Sequence, residues 1–129
     1  MTLLLDTNAV VALVERKHTG VAHLVRESSE WPTISLITLG ELLAGVSLAA
    51  TPEIALARRR SIRRTSQFHI HPIDRASMAI YADIRRLGLR GNDALVATAA
   101  MQLDARLITF DHTLARRLDS HVAVTLVTS

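Results

Sequence analysis

Five short runs of strand character, at residues 2–5, 32–35, 68–71, 106–109 and 122–127, punctuate the 129-residue chain. The intervals between them carry helical spacing. Consecutive strands separated by helices cannot pair as tight hairpins; they pair in parallel, with the helices covering the sheet. The expected fold is therefore α/β: a three-layer α/β/α sandwich around a mostly parallel sheet of four or five strands. No linker, repeat or low-complexity segment interrupts the pattern, so residues 1–129 read as one domain, long enough to bury an ordinary core.

The helices carry their own start signals. Thr38 followed by Glu41 matches the T-x-x-E capping box and predicts a helix over 39–48. Pro52 opens the next one, which runs to about residue 66 and carries Arg58, Arg59, Arg60, Arg63 and Arg64. Asp74 caps a helix with Ala76, Met78, Ala79, Ala82, Ile84 and Leu87 at helical spacing. Gly88 and Gly91 bracket a turn, and Asn92 or Asp93 starts an Ala-rich helix ending near Leu103. Shorter helices are expected over 8–15, 19–29 and 112–118.

Four acids stand beside element ends. Asp6 closes the first strand, Glu41 and Asp93 lie in the first turns of their helices, and Asp111 follows the fourth strand. In a parallel sheet, strand C-termini and the following helix N-termini meet at one edge, where open α/β folds place their ligands. Asp6, Glu41 and Asp111 are expected there; Asp93 joins them if its crossover is right-handed. Each has a plain structural reading as well: Glu41 as the capping-box partner of Thr38, Asp93 as a cap or dipole partner, Asp111 as a turn residue. Asp6 is the exception, because a carboxylate at the end of a buried strand is costly unless paired or bound to metal.

Carboxylates gathered in this way need a counter-charge to stay ionised. Mg²⁺ is the natural choice, with Mn²⁺ as a substitute, since both are hard cations that prefer oxygen ligands. A metal so held suits phosphodiester hydrolysis by activated water.

Leu4-Leu5-Asp6-Thr7-Asn8, Ser35-x-x-Thr38-x-Gly40-Glu41-Leu42-x-x-Gly45, Asp93-Ala94-Leu95-Val96-Ala97-Thr98-Ala99 and Leu107-Ile108-Thr109-Phe110-Asp111 occur in this order along nearly the whole chain. Together they resemble the PIN domain, with the VapC toxins of bacterial toxin–antitoxin pairs as the nearest subgroup. The resemblance implies a Mg²⁺-dependent endoribonuclease, an RNA substrate, a cognate antitoxin that holds it inactive, and a homodimer. It also implies that Asp6 and Asp93 are the most direct metal ligands. Glu41 and Asp111 would act through water, with Asn8 and Thr109 as supporting polar residues. The chain departs from the family pattern at Asp104-Ala105, where Gly is common, and at Leu114, where an aromatic is common.

The basic residues are nearly all Arg: of 15, only Lys17 is lysine. Setting the four site acids aside leaves 8 of the 12 acidic residues against those 15, a basic body around an acidic pocket. The Arg58–Arg64 cluster reads as a solvated face or partner contact on one hand, and as a phosphate-tracking surface on the other. Aromatic residues make up only 3% of the chain, so base stacking by Trp31, Phe68, Tyr81 or Phe110 is not expected to dominate recognition. His69 and His71 form an i, i+2 pair without a third ligand and read as structural or surface residues; His112 lies beside Asp111.

With no cysteine, disulfides and thiolate chemistry are excluded, which suits a reducing cytoplasm. No apolar run approaches the ~20 residues needed to span a bilayer, and no secretory signal is expected. The functional expectation is a metal-dependent ribonuclease toxin. The alternatives are a non-catalytic RNA-binding module on the same fold and a small-molecule phosphatase. The phosphatase chemistry usually needs a second Asp two residues after the first, and position 8 is Asn.

Overall fold

The computed structural model describes residues 1–128. In chain order the elements are β1 (Leu3–Leu5), α1 (Thr7–Val14), α2 (Thr19–Glu27), β2 (Thr33–Ser35), α3 (Leu36–Ser47), α4 (Pro52–Arg63), β3 (His69–His71), α5 (Ser77–Arg85), α6 (Gly91–Leu103), β4 (Arg106–Thr109), α7 (His112–Leu118) and β5 (Ala123–Leu126). The five strands form one sheet in the order β3-β2-β1-β4-β5, and every neighbouring pair is parallel.

The period of two along the strands sorts side chains onto two cores. Leu4 and Leu107 face one side, where Ile84 of α5, the Ala-rich face of α6, and Leu114 and Leu118 of α7 cover them. Leu3, Leu5, Ile34 and Ile108 face the other, against Ala9 and Val10 of α1, Val21 of α2 and Leu42 of α3. Both faces of the central strand β1 are covered, which is why Leu3-Leu4-Leu5 reads as a continuous apolar run.

The start of α3 differs from the sequence expectation. Ser35 caps it, accepting from the Ile37 N–H at 3.3 Å, and the helix begins at Leu36. Thr38 is already inside the helix and fully buried. The Thr38–Glu41 capping box therefore does not form, and Glu41 lies in the second turn, free of that duty. The physical reason is that Ser35 offers a cap three residues earlier, at the point where β2 ends.

Asp104, directly after α6, adopts the left-handed conformation at φ 49°. The Ala105 N–H reaches the Ala100 carbonyl at 3.0 Å and the Asp104 N–H the Met101 carbonyl at 3.2 Å, a Schellman closure. Glycine adopts this conformation without a Cβ clash. Asp tolerates the conformation at a cost. Asp104→Gly should raise the stability of the fold by about 0.5–1 kcal/mol, read from urea unfolding; a loss would contradict this account.

Candidate active site

The strand order creates a switch point. From β1 the chain steps outward to β2 and β3, then crosses back to β4 and β5 on the other side of β1. Crevices at such a point, outside the strand C-termini, are the usual ligand sites of open α/β sheets. Asp6 directly follows β1 and Asp111 follows β4 after one residue, so both stand at that crevice.

Both also cap helices. Asp6 Oδ1 accepts from the Ala9 N–H at 2.9 Å at the start of α1, and Asp111 Oδ1 accepts from the Leu114 N–H at 3.0 Å at the start of α7. Asp6 is thus the N-cap of α1. Thr109 ties the two acids together. Its hydroxyl donates to Asp6 Oδ2 at 2.5 Å and accepts from the Asp111 N–H at 3.0 Å. Thr109 is wholly buried and supports the site from behind. Glu41 comes from α3 and is oriented by the Thr7 hydroxyl, which donates to Oε1 at 2.7 Å. Asp93 lies in the first turn of α6.

Asp6, Glu41, Asp93 and Asp111 line one cleft of about 150 Å³ together with Thr7, Asn8, Asn92 and Val96. No Lys or Arg is among these lining residues. Thr7 and Asn92 are additions to the set expected from sequence. Thr7 is adjacent to Asp6, but its partner Glu41 is 34 positions away, and only the fold reveals the pair.

The acids disturb one another. Burial pushes the Asp6 carboxyl above the ordinary Asp value; the bonds from Thr109 and Ala9 oppose this, and the charges of Asp93 and Asp111 add to it. Asp93 is raised in the same direction, by partial burial first and then by Asp111 and Glu41. These causes are what a cation in the cleft would remove. The donor set is all oxygen and anionic, and so suits a hard divalent ion. Among the described residues, no three His, Asp or Glu side chains converge into a ready-made ligand cage.

The Thr109 hydroxyl is the joint of this arrangement. Thr109→Val keeps the volume and strands both Asp6 Oδ2 and the Asp111 N–H. The expected result is a stability loss of about 1–3 kcal/mol, read from chemical unfolding.

The histidines stay outside. His112 lines a separate groove with Ala115, Arg116 and Asp119. His69 is exposed, whereas His71 is buried, with Nε2 2.8 Å from Gln102 Oε1. In the Arg-rich helix α4, Arg58 donates to the Gly45 carbonyl at 2.5 Å and Arg64 to the Val14 carbonyl at 2.5 Å. Arg59, Arg60 and Arg63 are exposed. Among the described residues no helix is long and apolar enough to cross a membrane.

Comparison with known proteins supports the same architecture. VapBC2 from Rickettsia felis, solved with a DNA fragment from its promoter, is similar at a TM-score of 0.82 and 22% identity over 98% of each chain. FitAcB from Neisseria gonorrhoeae is similar at 0.78 and 27% identity, covering 95% of this chain and 96% of that one. VapBC-1 from nontypeable Haemophilus influenzae is similar at 0.77 and 22% identity, over 98% of each chain. No curated protein matches the sequence. The PIN domain model matches residues 3–119, nearly the whole chain, and with the strand order and the acidic crevice it shows that this protein belongs to the PIN domain family.

Proposed function

We propose that the chain is a divalent-metal-dependent endoribonuclease and the toxin of a toxin–antitoxin pair. The observation that carries the proposal is the cleft at the switch point, lined by four carboxylates and by no cationic side chain. The similarity to VapBC and FitAcB structures supports the toxin role.

A bound Mg²⁺, or Mn²⁺ in its place, supplies Lewis acidity toward a phosphoryl oxygen and lowers the pKa of a coordinated water. Asp6 and Asp93 would be its direct holders, and Glu41 and Asp111 would act through water. Asp6 has both oxygens pinned, by Ala9 and Thr109, so its remaining lone pairs keep a fixed direction. Glu41 has Oε1 held by Thr7, which leaves Oε2 to orient the attacking water or take its proton. Asn8, in the cleft wall, offers an uncharged contact to the RNA backbone.

The test is incubation of the purified protein with RNA in the presence of Mg²⁺, of Mn²⁺ and of EDTA. Cleavage that needs the divalent ion is expected, and a co-expressed antitoxin should suppress it. RNA that is bound but left intact with either metal would favour the non-catalytic module. The proposal includes a cytoplasmic site of action, where the RNA is, and a homodimer. The exposed Leu36 and Leu43, on one face of α3 with the exposed Gly40 between them, favour the dimer, and sedimentation velocity tests it.

A further inference from the structure

The only tryptophan and the only lysine of the chain line the same recess, at the end of the sheet opposite the acids. Trp31 stands two residues before β2 and Phe68 one before β3, so both sit at strand N-termini. Lys17 follows α1, and Arg64 follows α4. The recess, of about 450 Å³, is lined by Trp31, Phe68, Lys17, Arg64 and aliphatic side chains, and no carboxylate lines it. Trp31 is 52% exposed. One side of its ring leans on Phe68, with centroids 6.4 Å apart at 35°. An exposed aromatic face beside two cations, with no acid in the wall, matches a base with its phosphate.

Two further observations connect this recess to the acidic cleft. The cleft shares Thr7 and Glu41 with a groove along α1, α3 and α4, and that groove shares Val14 with the recess. Arg58 lines the groove and Arg64 lines the recess, about 9 Å apart along one helix. The groove holds two carboxylates, Glu15 and Glu41, beside Arg58, and none of these forms an ion pair. Among the described residues the one ion pair is His23–Glu27, so no Arg or Lys is paired with a carboxylate.

We propose that the Trp31 recess is a second RNA contact, in which a base stacks on Trp31 while Lys17 and Arg64 hold its phosphate. A single-stranded segment then runs from the acidic cleft along α4 to this site. Arg64 keeps guanidinium donors for phosphate beyond the one bonded to Val14. The recess refines the expectation from composition: aromatic residues are too few to form a stacking surface, but one of them is placed as an anchor. This inference takes RNA as the substrate, as in the function proposed above, and its test needs no cleavage.

Because Trp31 is the sole tryptophan, the emission of the intact protein reports on this recess alone. In EDTA, an unstructured RNA of about 20 nucleotides should quench that emission saturably, with an affinity that falls as salt rises. Trp31→Ala should weaken RNA binding about tenfold or more by fluorescence anisotropy of labelled RNA. Lys17→Asn, at an exposed position with φ 51° that Asn accepts, should flatten the salt slope by roughly one phosphate contact. Unchanged emission with RNA, together with wild-type affinity and slope for Lys17→Asn, overturns the proposal even if Trp31→Ala fails to fold. Quenching by an acidic peptide but not by RNA overturns it in favour of a protein partner. Quenching by RNA in a protein that cleaves nothing would remove the nuclease reading and leave the recess as an RNA contact.

Discussion

Replacing Asp6 with asparagine is expected to abolish divalent-dependent RNA cleavage and, in EDTA at neutral pH, to make the protein more stable than the wild type. The two effects share one cause. The Asp6 carboxyl is raised above its ordinary value mainly by burial, and further by the charges of Asp93 and Asp111. An acid whose folded pKa lies above its unfolded one disfavours folding once it is ionised. The penalty is absent below the unfolded value, near 3.8, grows as the pH rises toward the folded value, and is complete above it. Asparagine removes the charge and keeps the cap, because Asn and Asp serve equally at an N-cap and the Ala9 N–H still finds an oxygen. The Thr109 hydroxyl can accept from the new amide.

The gain should be about 0.5–2 kcal/mol, a rise of a few degrees in Tm for a domain of this size. It should vanish as the pH is lowered below the ordinary Asp range. Mg²⁺ should raise the Tm of the wild type and leave that of the variant nearly unmoved. Losing the metal's several kcal/mol of transition-state stabilisation corresponds to a cleavage rate about 10³-fold lower or worse. Thermal unfolding with and without EDTA at two pH values, next to a cleavage assay, reads all of these. A variant less stable than the wild type in EDTA at pH 7 would show that the Asp6 carboxylate stabilises the fold, as acceptor of the Thr109 hydroxyl and partner of the α1 dipole, and is not a crowded ligand.

Much of this was legible in the sequence, and the parts that were not have identifiable reasons. The five strands could be placed because both faces of the sheet are covered, which makes Leu3–Leu5 and Arg106–Thr109 read as short apolar runs. Asp6, Asp93 and Asp111 could be placed because each lies next to an element end. The start of α3 could not, because Ser35, Thr38 and Glu41 offered two caps and local spacing does not decide between them; burial of Thr38 does. The double duty of Asp6, as N-cap and cleft wall, was hidden because helical spacing placed the start of α1 only at residue 8. The Thr109–Asp6 bond joins residues 103 positions apart and depends on β1 lying beside β4, which no local pattern states. Trp31 is the same kind of case. Its exposure is set by how α1, α4 and the β2 edge come together, and composition argued against it.

Asp93 is the acid whose place depends most on packing, and its substitution has the next largest expected effect. It reaches the cleft because α6 packs on the β1–β4 side of the sheet, with its Ala face against Leu4 and Leu107. Among the described residues its carboxylate accepts no hydrogen bond, unlike the other three acids. It is therefore the acid with the most lone pairs left for a metal. Asp93→Asn should lower cleavage about 10²–10³-fold and raise the half-saturating Mg²⁺ concentration 10–100-fold. Combined with Asp6→Asn it should cost little more than either change alone, because the two would hold one ion. Stability separates this role from the plain one. If Asp93 served only the helix dipole, its loss would destabilise the fold by about 0.3–1 kcal/mol. A carboxylate raised by partial burial and by Asp111 and Glu41 is under repulsion, and its neutralisation should stabilise the metal-free protein instead. Urea unfolding of Asp93→Asn in EDTA at neutral pH thus decides by sign: a higher midpoint marks a ligand waiting for its cation, and a lower one marks a partner of the helix dipole.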